Sequence, residues 1–152
     1  MQMTFRLRFV AFFLVVLLSC CCEKNVAMGQ LPRILGGQAT DDFPAVGIVG
    51  SLRRGGFCSG TLVTSNHVLT AAHCAEVIDG ATSGTFEVNG RKYETINVFI
   101  HPDFNSRTYA NDIAILQLGE PVTGIEPSQI FREAPLVGDF LTIVGFGATG
   151  TP

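Results

Sequence analysis

Apolar residues in this chain come in short runs punctuated by glycine, asparagine and proline, with almost no helical periodicity. Residues 43–52 read as an apolar, glycine-containing strand, which Arg53-Arg54-Gly55-Gly56 turns into the next segment. Residues 60–64 form a second strand, Ser65-Asn66-His67 a turn, and residues 68–72 a third strand ending in the small pair Ala71-Ala72, with His73 at its tip. Residues 76–84 look like a polar loop. Residues 85–88 and 91–100 alternate as strands about Asn89-Gly90, the clearest two-residue hairpin turn of the chain. Pro102, within His101-Pro102-Asp103-Phe104, ends that run because proline cannot continue a central ladder. Residues 113–118 are apolar enough to be a strand buried on both sides, 120–133 have proline-marked loop character, and 141–147 are again a strand. Six short strands with glycine-rich turns predict an all-β, antiparallel barrel.

The amino terminus departs from this pattern. Arg6 and Arg8 precede ten unbroken apolar residues, 9–18, which is the charged start and short apolar run of a secretory signal and is too short to span a bilayer comfortably. Ala27-Met28-Gly29 supplies the small residues of a cleavage site, so residues 1–29 are expected to be a signal peptide and the mature chain to begin at Gln30, secreted, extracellular or periplasmic. A competing reading starts from Leu17-Leu18-Ser19-Cys20, which resembles a bacterial lipoprotein signal and makes a membrane anchor of a lipidated Cys20. Removal of the signal takes Cys20, Cys21 and Cys22 with it. Of five cysteines, Cys58 and Cys74 then remain, the even count of an exported protein with one disulfide.

Composition narrows the field further. A chain of 152 residues with 47% hydrophobic and 15% charged residues has room for one modest globular domain. A net charge of -3 and a pI near 5.5 argue against a nucleic-acid partner, and Arg53-Arg54 reads as a solvated hairpin tip. There is no phosphate-binding glycine loop with its lysine, and no cofactor is expected. His67 and His101 come from a turn and a loop without the i, i+4 spacing that would join them to His73, so no metal site is expected either.

The chemistry concentrates in residues 57–74, FCSGTLVTSNHVLTAAHC, where a histidine lies beside one cysteine and a hairpin away from another. A bridge between Cys58 and Cys74 would hold His73 rigidly, which a general base requires. Thr70-Ala71-Ala72-His73-Cys74 resembles the catalytic-histidine run of the chymotrypsin/trypsin family of serine endopeptidases. Arg33-Ile34-Leu35-Gly36-Gly37 is similar to that family's activation-cleavage site, and Asn111-Asp112-Ile113-Ala114-Ile115-Leu116 to its catalytic-aspartate segment, in the same order. The resemblance runs from Arg33 to Gly147.

It implies the six-stranded Greek-key N-terminal barrel of that fold over residues 34–119, after a short propeptide at residues 30–33. An interdomain connector and the first strand of a second barrel then fall in residues 120–152, with Phe146 where the family commonly has tryptophan. It also implies His73 as base, Asp112 as its orienting partner, and cleavage between Arg33 and Ile34 as the activating step. The family's nucleophile lies in Gly-Asp-Ser-Gly-Gly, and no serine here has that context. Ser59 resembles a structural position instead, and Cys58 loses its thiol if bridged to Cys74. The expectation is a truncated, zymogen-like serine endopeptidase by family, acting on protein or peptide substrates, a target for protease inhibitors, and inactive as residues 1–152 alone. The alternative is a secreted, non-catalytic homologue whose barrel is a binding module.

Overall fold

The computed structural model describes residues 37–146. The leader, the cysteines at 20, 21 and 22, the Arg33–Ile34 position and Gly147 lie outside the described residues. Within them are six strands and one helical turn: β1 (Val46–Ser51), β2 (Gly55–Thr64), β3 (His67–Thr70), α1 (Ala72–Ala75), β4 (Gly84–Val88), β5 (Arg91–Ile100) and β6 (Ala114–Leu118). All pairings are antiparallel, and the order β1-β2-β3-β6-β5-β4 closes because β4 pairs back onto β1. Closure leaves no unpaired strand edge. The expected all-β six-stranded barrel is what forms.

Alternation explains which side chains fill it. In β3 the exposure alternates between half-buried and buried, as it does in β6, so each strand puts every second side chain inside. Val49, Leu62, Val68, Phe86 and Leu116 have no exposed surface, and each such burial contributes about 1.5–3 kcal/mol. The long strands β2 and β5 each bend round the barrel through an irregularity in register, between Leu62 and Thr64 and between Thr95 and Asn97. At Gly60 the interior has no room for a side chain: a Cβ there would sit 2.7 Å from methyls of both Val49 and Val68. Asn89 and Gly90 both take left-handed backbone angles (φ 49° and 72°), the twist a two-residue turn needs to join β4 and β5.

Several expectations are corrected. The second strand begins at Gly55, because Gly55 and Gly56 pair with Ser51 and Gly50 across a bulge instead of ending in a free turn. His67 opens β3 opposite Thr64, so the turn is only Ser65-Asn66. The third strand stops at Thr70, its last residue paired with β6, and Ala72 and His73 lie in α1, not in a strand. The sixth strand is buried on one side only, with Ile115 and Gln117 half-exposed between Ala114, Leu116 and Leu118. Residues 141–146 are not a strand: no partner ladder reaches them among the described residues, and extended backbone without a neighbour has no sheet hydrogen bonds.

The segment after β6 returns across the barrel. Val122 N–H donates to Ser65 O at 2.7 Å and Ser128 N–H to Leu62 O at 2.9 Å, and Val122 and Ile125 pack against the core.

Candidate active site

The chain changes direction where β3 ends. Ala71 is still extended, and the next four residues, Ala72 to Ala75, close a single helical turn. Alanine is the best helix former, and the small Ala72 and Ala75 side chains are buried, which seats the turn directly on the barrel end. His73 is left facing outward, its side chain 48% exposed. Thr70 Oγ1–H donates to Ser59 O at 2.9 Å and fixes the end of β3 against β2. Cys74, buried, is bridged to Cys58 on β2, with 6.2 Å between their Cα atoms, inside the span a disulfide accepts. The residue after the histidine is thereby fastened to the strand opposite.

Asp112 arrives from a loop shaped by hydrogen bonds of its own. Asn111 has a left-handed backbone (φ 56°), a conformation asparagine tolerates better than most residues, and its Nδ2–H donates to Asp103 O at 3.0 Å. His101 N–H reaches Ile113 O at 3.1 Å from the other side. Asp112 is thus presented two residues before β6, the strand that pairs with β3.

The aspartate and histidine meet at two points. His73 N–H donates to Asp112 Oδ1 at 2.9 Å, and His73 Nδ1 lies 2.7 Å from Oδ2. A carboxylate can only accept, so Nδ1 carries the proton and the neutral ring keeps its lone pair on Nε2. Burial pushes the Asp112 carboxyl up. The His73 backbone N–H, the imidazole hydrogen bond, the attraction of the ring in its protonated form and the Ala72 N–H together outweigh that and hold it below the usual carboxylate value. Asp112 is 21% exposed, so its pairing with His73 is not fully screened, yet it is no buried ion pair. The arrangement fixes the orientation and tautomer of the ring, which is what an imidazole needs to take a proton at Nε2.

Two neighbours escaped the sequence reading. Tyr109 stands edge-on to the imidazole, ring centroids 5.6 Å apart at 77°, from a left-handed backbone position (φ 55°) that a bulky residue seldom occupies. A tyrosine in a polar loop gives no signal of this. Cys74 Sγ lies 3.3 Å from His73 Nε2, a contact hidden in the bare adjacency of the two residues.

The remaining candidates lie elsewhere. Ser59 Oγ accepts the Phe146 N–H at 2.7 Å, and Cys58 is in the disulfide. His67 Nδ1 is 2.9 Å from Thr64 Oγ1, and His101 Nδ1 accepts the Asp103 N–H at 3.1 Å, so neither histidine is engaged with His73. Arg33 and Ile34 fall outside the described residues.

The family model described as Trypsin matches residues 34–152. Trypsin alpha-4 of Lucilia cuprina is 30% identical over 162 aligned positions, taking in 95% of this chain and 62% of that protein. Trypsin epsilon of Drosophila erecta is 30% identical over 151 positions, 90% of this chain and 59% of its own. Kallikrein-14 of Homo sapiens is 27% identical over 132 positions, 79% of this chain and 49% of its own. The chain therefore spans about half to three-fifths of the length of these relatives.

Proposed function

The chain belongs to the trypsin family, and from that premise we propose that it is part of the catalytic apparatus of a trypsin-like serine endopeptidase. In this reading His73 is the general base and Asp112 the partner that orients it and stabilises the imidazolium. The observation that carries the proposal is the two-point contact of Asp112 with His73, at 2.9 and 2.7 Å, which leaves Nε2 as the ring's only proton acceptor. The substrate is a protein or peptide, and protease inhibitors are the natural competing partners. Export through residues 1–29, release of 30–33 by cleavage after Arg33, and a division into a barrel at 34–119 and a connector with the start of a second barrel at 120–152 belong to the same proposal. It rests for these on the Arg6 and Arg8 start, the apolar run behind it, and the Arg33-Ile34-Leu35-Gly36-Gly37 motif.

No serine of residues 1–152 lies in a Gly-Asp-Ser-Gly-Gly context, and Ser59 already accepts a backbone hydrogen bond. Residues 1–152 by themselves therefore supply a base without a nucleophile and form no acyl-enzyme. Two measurements test the reading. Nuclear magnetic resonance of the purified chain should show a strongly deshielded Nδ1 proton on His73 that Asp112→Ala removes; its absence in the parent rejects the His73–Asp112 pair. After limited tryptic cleavage, an active-site phosphonylating reagent should leave the chain unmodified, and stoichiometric labelling of Ser59 or another serine rejects the missing nucleophile. One observation favours a second reading, the secreted binding module: Leu136, Val137, Phe140, Leu141 and Ile143 are each at least 75% exposed. A polypeptide partner recovered on those residues, from a chain that never labels in any longer form, selects it.

A further inference from the structure

His73, Cys74 and Cys58 place one imidazole nitrogen and two sulfurs within 4.8 Å of one another at the barrel end. The proposed base uses the nitrogen, but nothing in that chemistry uses the sulfurs beyond their bond. We propose that reduction of the Cys58–Cys74 bridge uncovers a zinc-class metal site made of Cys58 Sγ, Cys74 Sγ and His73 Nε2, with Asp112 as the outer carboxylate that orients the imidazole.

The donor set and the spacing both fit. Two thiolates and one imidazole with an open fourth position are a known tetrahedral zinc set, and zinc–sulfur and zinc–nitrogen bonds of about 2.3 and 2.0 Å place ligand atoms roughly 3.5–3.8 Å apart. Cys74 Sγ is already 3.3 Å from Nε2. Reduction lets the two sulfurs part, and the 6.2 Å Cα separation accommodates the wider pair through side-chain rotation. The half-exposed His73 side chain gives access from solvent and leaves room for a water ligand. The Nδ1 contact to Asp112 Oδ2 at 2.7 Å is the carboxylate–histidine relay that fixes the tautomer of a metal-bound imidazole, so the outer support exists before the metal arrives.

The steps balance. A trialkylphosphine breaks the S–S bond and becomes the phosphine oxide with oxygen from water, while both sulfurs become thiols; a dithiol does the same by closing its own disulfide. The divalent metal then displaces the two thiol protons into solution. The site itself does not depend on His73 being a base. Only the consequence rests on that reading: a metal on Nε2 occupies the lone pair that would accept a proton, so the reduced, loaded state is blocked.

The test uses the full chain carrying C20S/C21S/C22S, so that no other thiol competes, reduced with a phosphine and titrated anaerobically with Co²⁺. The expected result is one equivalent bound, with thiolate charge-transfer and tetrahedral d–d bands that Zn²⁺ abolishes, and no such bands in the oxidised chain. His73→Ala should weaken binding at least about 10-fold by removing a ligand, and Asp112→Asn about 10–100-fold through the outer contact. Circular dichroism of each reduced protein follows the fold. Several results overturn the proposal: no tetrahedral spectrum in the reduced chain, equal affinity in parent and both variants, equal affinity in the urea-unfolded parent, or a reduced chain that is unfolded and that cobalt does not refold.

Discussion

Opening the Cys58–Cys74 bridge should remove a large share of this barrel's stability. The bridge spans a sequence separation of 16, for which the chain-entropy account gives about 3 kcal/mol at room temperature. That compares with the roughly 5–15 kcal/mol that ordinary domains possess in total. Here the bridge is the covalent tie between β2, at the residue paired with Val49, and the helical turn α1, which is otherwise held by the buried Ala72 and Ala75 and by Asp112. Reduction of the parent chain, in the presence of a chelator so that the thiols hold no metal, isolates this contribution because both sulfurs keep their packing. The double variant C58A/C74A removes the sulfurs as well and should lose on the order of a further 1 kcal/mol, since Cys74 is buried and Cys58 packs on the core. Urea unfolding followed by circular dichroism reads both. With a slope of about 1–3 kcal/mol per molar, the midpoint should fall by about 1–3 M on reduction. A shift under about 0.3 M with unchanged slope would refute the reasoning and show that pairing of β2 with β1 and β3 alone holds the turn.

Three further outcomes follow from particular residues. Gly60→Ala should cost about 1–3 kcal/mol in urea unfolding, because the new methyl would press on both Val49 and Val68; a neutral result means the interior can widen there. Asn111→Ala should cost about 1–2 kcal/mol, losing both tolerance of φ 56° and the bond to Asp103 O, whereas Asn111→Gly, which keeps the backbone, should cost less; equal losses would leave only the side-chain bond as the cause. The carboxyl of Asp112 titrates lower folded than unfolded, so its contribution is fully present above the unfolded value near about pH 4 and is lost as pH falls through the folded one. Parent and Asp112→Asn should therefore differ in stability at neutral pH and converge in acid, and a constant difference from pH 7 to pH 2 contradicts the assignment.

Much of the barrel was legible because its signals are local. Asn89-Gly90 announces its hairpin because both residues tolerate the angles the turn demands, and Pro102 marks where β5 ends. What the sequence concealed was whatever depends on a neighbour. Gly55 and Gly56 look like a turn, yet become strand once Ser51 and Gly50 lie opposite; residues 141–147 look like strand, yet residues 141–146 have no ladder. A helical turn of four residues has no period to detect, so Ala72 and His73 read as the end of a strand. Ile113 to Leu118 is apolar apart from Gln117, which hides that Ile113 is exposed and only alternate residues point inward. The contact between His73 and Asp112 crosses 39 residues, and only resemblance to a family suggested it. Tyr109, which stands against the same ring, carried no signal at all.

The closed strand order also sets a timetable. Asn89-Gly90 brings β4 and β5 together over a two-residue loop, whereas β3 must find β6 across the whole intervening chain, Thr70 against Ala114, before the ring can close. Chain entropy makes such distant pairings slow relative to hairpins. His73 follows β3 and Asp112 precedes β6, so the two are brought together by the same late pairing. On that order of events the imidazole gains its partner only when the barrel shuts. Pulse-labelled hydrogen exchange should find the β4–β5 amides protected before those of β3 and β6, and the His73 amide, held by Asp112, among the last to be shielded.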